Sequence, residues 1–277
     1  MNCQQSSTRY AVVVAHPAHL LTIAGAVLRH EPETLFLTST SDGAGVGQTE
    51  LIGQALDRIG LSDKVQSLEM DETESYRHAL AQNFQFHLEF IEPIVDWLEQ
   101  VQPDSLLGDA FEASNYQHDI GCCLLAAAMS EYTLRTGRSI QRYEFPLSCQ
   151  FLGEDASVQY GRFVTEDVEK CVLSDSEMQM KIELVLWASS RNDFVNQVST
   201  LFPSDPIERF RSVDPDRNYS VPPPGLALHY DRRGIEEVAA GRHQNAINFQ
   251  SHFIPLVQAV DRWKSLRTRV SYRSAVA

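Results

Sequence analysis

Short β-branched runs alternate with longer amphipathic stretches through the first 150 residues, and this alternation most restricts the fold. Tyr10 to Ala15 (YAVVVA) has the length and composition of a buried strand, and Leu20 to Arg29 follows with helical spacing. Thr34 to Thr40 (TLFLTST) reads as a second strand, Ser41 to Gly47 (SDGAGVG) as a turn or loop, and Glu50 to Ile59 as a second helix. A weak third strand, Val65 to Leu68, precedes a long helical stretch, Tyr76 to Val101, with an interruption expected near Pro93. Ser105 to Leu107 reads as a short strand, His118 to Arg135 as a strongly apolar helix, and Arg142 to Gln150 as leading into another strand. Strands separated by helices pair in parallel through right-handed crossovers. The expectation is therefore an α/β fold with a Rossmann-like, mostly parallel sheet flanked by helices. Ligands of such folds sit beyond the carboxyl ends of the strands. His16, Asp42 and the segment after Leu107 all fall there.

The second half is patterned differently. Phe151 to Val164 suggests a hairpin, Asp175 to Ser190 and Asp193 to Phe202 suggest helices, and Asn245 to Trp263 suggests a final helix. Val213 to Leu228 is loop-like, with the stiff run Pro222-Pro223-Pro224-Gly225. No internal repeat and no clear boundary interrupts the chain. Residues 1–277 are expected to form one domain: a parallel-sheet core over 1–150, and an α+β extension over 151–277 packed over the crevice.

Composition narrows the function classes. The formal net charge of −14 argues against nucleic acid, which needs Lys and Arg to displace counterions, and against an anionic membrane surface. No apolar run approaches the roughly 18 residues of a spanning helix, and the first ten residues, MNCQQSSTRY, lack the pattern of a secretory signal. The five cysteines, Cys3, Cys122, Cys123, Cys149 and Cys171, are odd in number, and two are adjacent in an apolar run. That pattern reads as reduced buried thiols in a cytoplasmic protein rather than a disulfide framework.

His16 and His19 end the first strand three residues apart, and His118 stands where a loop meets a later helix. Imidazole nitrogens brought together from two strand ends are donors for a metal ion, non-haem iron and copper among those that accept them. The surrounding motifs resemble the LmbE-like or PIG-L family of zinc-dependent N-acetylglucosaminyl deacetylases. That family has a first motif of the form AHPDDE; this chain has Ala15-His16-Pro17-Ala18-His19-Leu20, followed by Ala24-Gly25-Ala26. A TDGA turn corresponds to Ser41-Asp42-Gly43-Ala44. A second motif resembling HAYEGGHPDHDA corresponds without gaps to Asp109 through Ile120, with Glu112, His118 and Asp119 identical. Pro224 to Tyr230 and His252 also have family counterparts.

The resemblance implies a metal held by His16, His19 and His118, and a hydrolase removing an acyl group from an amide-bearing small molecule, an amino sugar conjugate among the candidates. It also marks departures. The family's general-base aspartate is Ala18 here, and its ligand aspartate is His19. The oxyanion-stabilising histidine is Asn115, which can still donate a hydrogen bond, and an orienting aspartate is Gln117. A substrate-contacting arginine falls at Thr49. Three histidines in place of two histidines and a carboxylate leave the site one charge more positive, which favours ionisation of a bound water. A replacement base would come from Asp42, Asp109, Glu112 or Asp119. Asp119 also suits a role in satisfying backbone amides at a helix start, and Asp42 a turn. His30, His78 and His87 are expected to face solvent, and His87 to Gln100 (HLEFIEPIVDWLEQ) to pack an apolar stripe under an acidic face. Changed metal chemistry at iron or copper, and a non-catalytic relative, remain as alternatives. Homo-oligomerisation is left open by the sequence.

Overall fold

The computed structural model describes residues 8–39, 47–150, 158–163, 168–191, 206–224, 228, 230–241 and 244–276. Strands β1 (Tyr10–Val14), β2 (Glu33–Ser39), β3 (Val65–Asp71), β4 (Ser105–Asp109) and β5 (Gln141–Phe145) pair in parallel in the order β3-β2-β1-β4-β5. A small antiparallel pair follows, β6 (Ser148–Gln150) with β7 (Val158–Tyr160). Two further strands, β8 (Glu169–Val172) and β9 (Ile207–Ser212), extend the main sheet beyond β5 with antiparallel pairing. The fold is thus α/β with a mixed, mostly parallel seven-stranded sheet.

The chain builds β2 and β3 on one side of β1, then returns to place β4 on the other. The gap between β1 and β4 is therefore the switch point at which such sheets open a crevice. Alternate β1 residues feed two cores. Ala11 and Val13 pack with Leu106, Ile94, Leu98, Ile120 and Leu124, and Val12 and Val14 pack with Phe36, Leu51, Ile52 and Leu107. This two-sided burial is why YAVVVA is continuously apolar rather than alternating.

Helix α1 (Ala24–His30) is preceded by a 3₁₀ segment, Pro17–Ile23, so the expected Leu20–Arg29 helix begins in a tighter winding. Pro17 at its first turn lacks an N–H and presets φ there, and His19 N closes a one-turn bond to His16 O at 3.0 Å. The helices α2 (Gln48–Asp57) and α3 (Glu72–Leu80) follow. The long Tyr76–Val101 stretch is divided among α3, α4 (Gln85–Leu88) and α5 (Ile91–Val101), and Pro93 sits in the first turn of α5, where its missing donor costs nothing. Ile91, Ile94, Val95, Trp97 and Leu98 of α5 are buried as its spacing predicts. Helix α6 (Tyr116–Thr136) is mostly buried, and α7 (Asp175–Ser189) opens on a Ser174–Glu177 capping box.

The carboxyl-terminal segment supplies α8 (Tyr230–Ala239) and a π turn, Phe249–Phe253, that runs into α9 (Ile254–Val276). The strands β8 and β9 and helix α8 are not among the elements expected from the sequence. The Asp193 to Phe202 helix expected from the sequence lies outside the described residues. Phe151 to Val164 is described only at β7 and at residues 161–163. Among the described residues no helix is long and apolar enough to cross a membrane.

Candidate metal centre

The 3₁₀ winding brings residues three apart onto one side, so His16 and His19 face the same way from the end of β1. His118 joins them from the first turn of α6, after the loop that leaves β4. The three rings lie edge to face, with centroids 5.1 Å apart for His16–His19 and His16–His118 and 4.4 Å for His19–His118. One nitrogen from each lies within 4.8 Å of the others. Donor atoms gathered this closely are a set that one ion could draw together.

Two of the rings have their tautomers set by neighbours. Thr38, at the end of β2, donates its hydroxyl proton to Ala15 O (2.6 Å), so it can only accept from His16 Nδ1 at 3.0 Å. His16 then carries its proton on Nδ1 and its lone pair on Nε2. His19 Nδ1 lies 3.0 Å from both oxygens of Asp109, an acceptor-only carboxylate. Asp109 Oδ2 also accepts from Ala15 N at 2.7 Å. A carboxylate or hydroxyl behind the ring is the usual support of a metal-ligating histidine. The donor set and its supports therefore fit a zinc-type ion.

Helix α6 begins at Asn115, whose Oδ1 accepts from Gln117 N (3.0 Å) as an N-cap. That cap fixes the amide, so Asn115 Nδ2 is the atom 3.0 Å from His118 Nε2. Asp119 is fully buried and accepts from the backbone N–H groups of Glu112 (3.0 Å), Ala113 (3.3 Å) and Ser114 (3.1 Å), and from Tyr230 Oη (2.8 Å). Burial pushes its pKa up to about 7 against the pull of those donors. Asp119 thus ties down the site loop, and Tyr230 brings α8 onto it. Within the loop Ala113 has φ of 52°, a left-handed value, at a position where the family motif has glycine.

Glu112 is buried, and its Oε1 accepts from Leu147 N at 2.8 Å. Asp109 and Glu112, both candidates for the replacement base, therefore have oxygens engaged with the fold. Asp42 and residues 40–46 around it lie outside the described residues, as does His229. Ala18 is buried in the apolar cluster of Val14, Leu20 and Leu51. His252 Nδ1 accepts locally from Asn248 N (2.9 Å).

The expected solvent exposure of His87 is a correction. It is fully buried, with Nε2 3.0 Å from Ser75 Oγ, which itself donates to Gln117 Oε1 (3.1 Å). It belongs to the inward face that also carries Ile91 and Ile94, not to the acidic one. His30 is part-buried against Tyr10, and His78 stacks on Phe86. Cys122, Cys123 and Cys171 are buried free thiols.

Sequence reasoning misses Thr38, because it opens the polar run Thr38-Ser39-Thr40-Ser41 and nothing in that run marks one hydroxyl as turned toward His16. It misses Glu144 too. That residue is fully buried on β5, accepts from Phe111 N (3.3 Å) and Arg217 (2.7 Å), and pairs with Arg211. Burial raises its pKa, but the two arginines outweigh that and hold it below the usual carboxylate range.

No family model matches this sequence, and no curated protein matches it. Solved structures are similar at low identity. One is a triple mutant of a deacetylase of the teicoplanin biosynthetic pathway (12% identity, 76% of this chain and 100% of that one, TM-score 0.47). Another is the A40926 pseudoaglycone deacetylase Dbv21 (14%, 85% and 93%, TM-score 0.45). A third is the conserved protein TT1542 from Thermus thermophilus (15%, 76% and 97%, TM-score 0.48). Independently of these, the order of the motifs and the three histidines at the β1/β4 switch point are the features in which this chain resembles the LmbE-like or PIG-L family.

Proposed function

We propose that this chain is a metal-dependent hydrolase that removes an acyl group from an amide-bearing small molecule, with an amino sugar conjugate as the substrate class. The observation that supports it is the convergence of three imidazoles, two of them with Nε2 turned to lone-pair donors by Thr38 and Asp109. His16, His19 and His118 would hold the ion, zinc by preference and ferrous iron as the alternative. Such an ion, when bound, polarises a carbonyl and lowers the pKa of water.

The chain's own groups divide the remaining work. Asp109 and Thr38 hold two rings in orientation, and Glu112 braces the site loop against Leu147. Asn115, its oxygen fixed by the helix cap, presents Nδ2–H beside His118 as the donor to a developing oxyanion. Asp42, three residues beyond the end of β2, is the acid left to accept a proton. The test is turnover of a panel of N-acyl amino sugar conjugates by metal-reconstituted protein. Asp42→Asn is expected to lower turnover about 100-fold or more with metal content unchanged. Absence of turnover across the panel with metal bound would count against the reading.

A specific observation favours a second reading. Asp109, Glu112 and Asp119 are all engaged by hydrogen bonds, and Ala18 replaces the base position. Three histidines without such a base suit a redox or other biosynthetic step at iron or copper. Metal analysis of protein purified without added metal separates the two: one iron or copper per chain favours the second, zinc alone the first.

A further inference from the structure

Behind the metal centre, between the sheet and α6, lies a cavity of about 10 Å³ whose lining includes Val13, Leu37, Leu125, Asp109, Cys122 and Arg142, all of them buried. The volume is that of one water molecule. Arg142, on β5, is 6% exposed, and its Nη1 donates to Cys122 O (3.2 Å) and Tyr219 Oη (2.8 Å). Its Nε and Nη2 are buried with no hydrogen-bond partner among the described residues. A buried guanidinium with two orphaned donors is costly unless something accepts from them.

We infer that a single water molecule fills this cavity, accepting from Arg142 and donating to an oxygen of Asp109, so that Arg142 is a positioning residue for Asp109 and through it for His19. A water is preferred over a halide because Asp109, an anion, lines the same space. Asp109 already holds His19 Nδ1 and Ala15 N, so any shift of Asp109 turns the His19 ring. The inference rests on the proposed metal site only for its purpose; the water and the ring orientation exist without the ion.

A crystal structure of the full chain at a resolution that orders internal waters is expected to show one peak within about 3.2 Å of Arg142 Nε or Nη2 and of an Asp109 oxygen. A dry, ordered cavity, or an anomalous bromide peak there after halide soaking, would overturn the inference. The positioning role is read from the imidazole ¹⁵N shifts of His19 in metal-free protein. Arg142→Leu is expected to lose the single Nδ1–H tautomer, and Arg142→Lys to retain it. A folded Arg142→Leu protein with an unchanged His19 tautomer would refute positioning. If that variant does not fold, the crystallographic water decides alone. Failure to bind metal at all would defeat the proposed hydrolase while leaving both readouts standing.

Discussion

At the scale of single residues, the site is a set of rings whose usefulness depends on what stands behind them. Asp109 carries the largest share, because it joins His19 Nδ1 to the backbone N–H of Ala15. Asp109→Ala should therefore weaken metal affinity about 10–100-fold, as loss of an outer carboxylate does elsewhere. Competition with a chromophoric chelator measures this, with folding checked by circular dichroism. Ala113 is a different case. Its φ of 52° strains a residue with a Cβ, while its own N–H and those of its two neighbours hold the loop to Asp119. Ala113→Gly should raise unfolding free energy by about 0.5 kcal/mol, and a lower value in urea denaturation would show the loop is not strained there. The three histidines are readable from spacing and motif because ligand atoms are chemically distinctive. Asp109's orienting role is not, since a carboxylate at a strand end looks the same whether it takes a proton or holds a ring. His87 misleads for a related reason: helical periodicity shows which residues share a face, and charged Glu89 and Glu92 nearby suggest solvent.

At the scale of elements, the short α1 depends on a distant strand. Glu208 of β9 accepts from Gly25 N (2.9 Å) and Ala26 N (2.8 Å), at the start of α1, and pairs with buried Lys181 of α7 at 2.8 Å. Lys181 Nζ also donates to Thr22 O (2.7 Å). The carboxylate thus meets the positive end of α1 and stitches β9 and α7 to the segment that carries His19. Glu208→Ala should cost about 3–5 kcal/mol, since it leaves a buried lysine without its counter-charge, and Lys181→Met with Glu208→Leu should cost less than that single change. Chemical denaturation of the three proteins tests the ordering. None of this is legible in the sequence. Glu208 and Lys181 lie 27 residues apart and meet α1 only through tertiary packing. By contrast β1, β2, β4 and α6 are legible, because a continuous apolar run is a property of the chain itself. The strands β8 and β9 carry charged residues near the sheet edge, so their pattern offers no apolar run to detect.

At the scale of the whole molecule, stability should respond to pH through the buried histidine. Burial drives the His87 pKa down to about 4 against its bond to the Ser75 carbonyl, and the nearby His78 charge adds to the drop. A folded value below the unfolded ~6.5 means the unfolded chain binds the extra proton. The stabilisation is therefore complete above about pH 6.5 and lost as pH falls toward 4, by about 3 kcal/mol in all. Asp119, with its pKa raised, contributes in the opposite sense over much of this range. The difference between the parent and His87→Gln isolates the histidine: the parent should lose more stability between about pH 6.5 and 4.5, and parallel curves would contradict the assignment. The architecture that gathers these parts is foreseeable from strand–helix alternation, which places His16 and the segment after β4 at one crevice. What stands behind the crevice is not, because it is assembled from β2, β5, β9 and α8 across the full chain.

The central claim is that His16, His19 and His118 form one metal site. Isothermal titration of chelator-treated protein with Zn²⁺, read beside elemental analysis, tests it directly. One ion per chain is predicted for the parent, with affinity falling about 100-fold or more in His16→Ala and in His118→Ala. No uptake by the parent, or uptake by either variant as tight as the parent's, would contradict the claim.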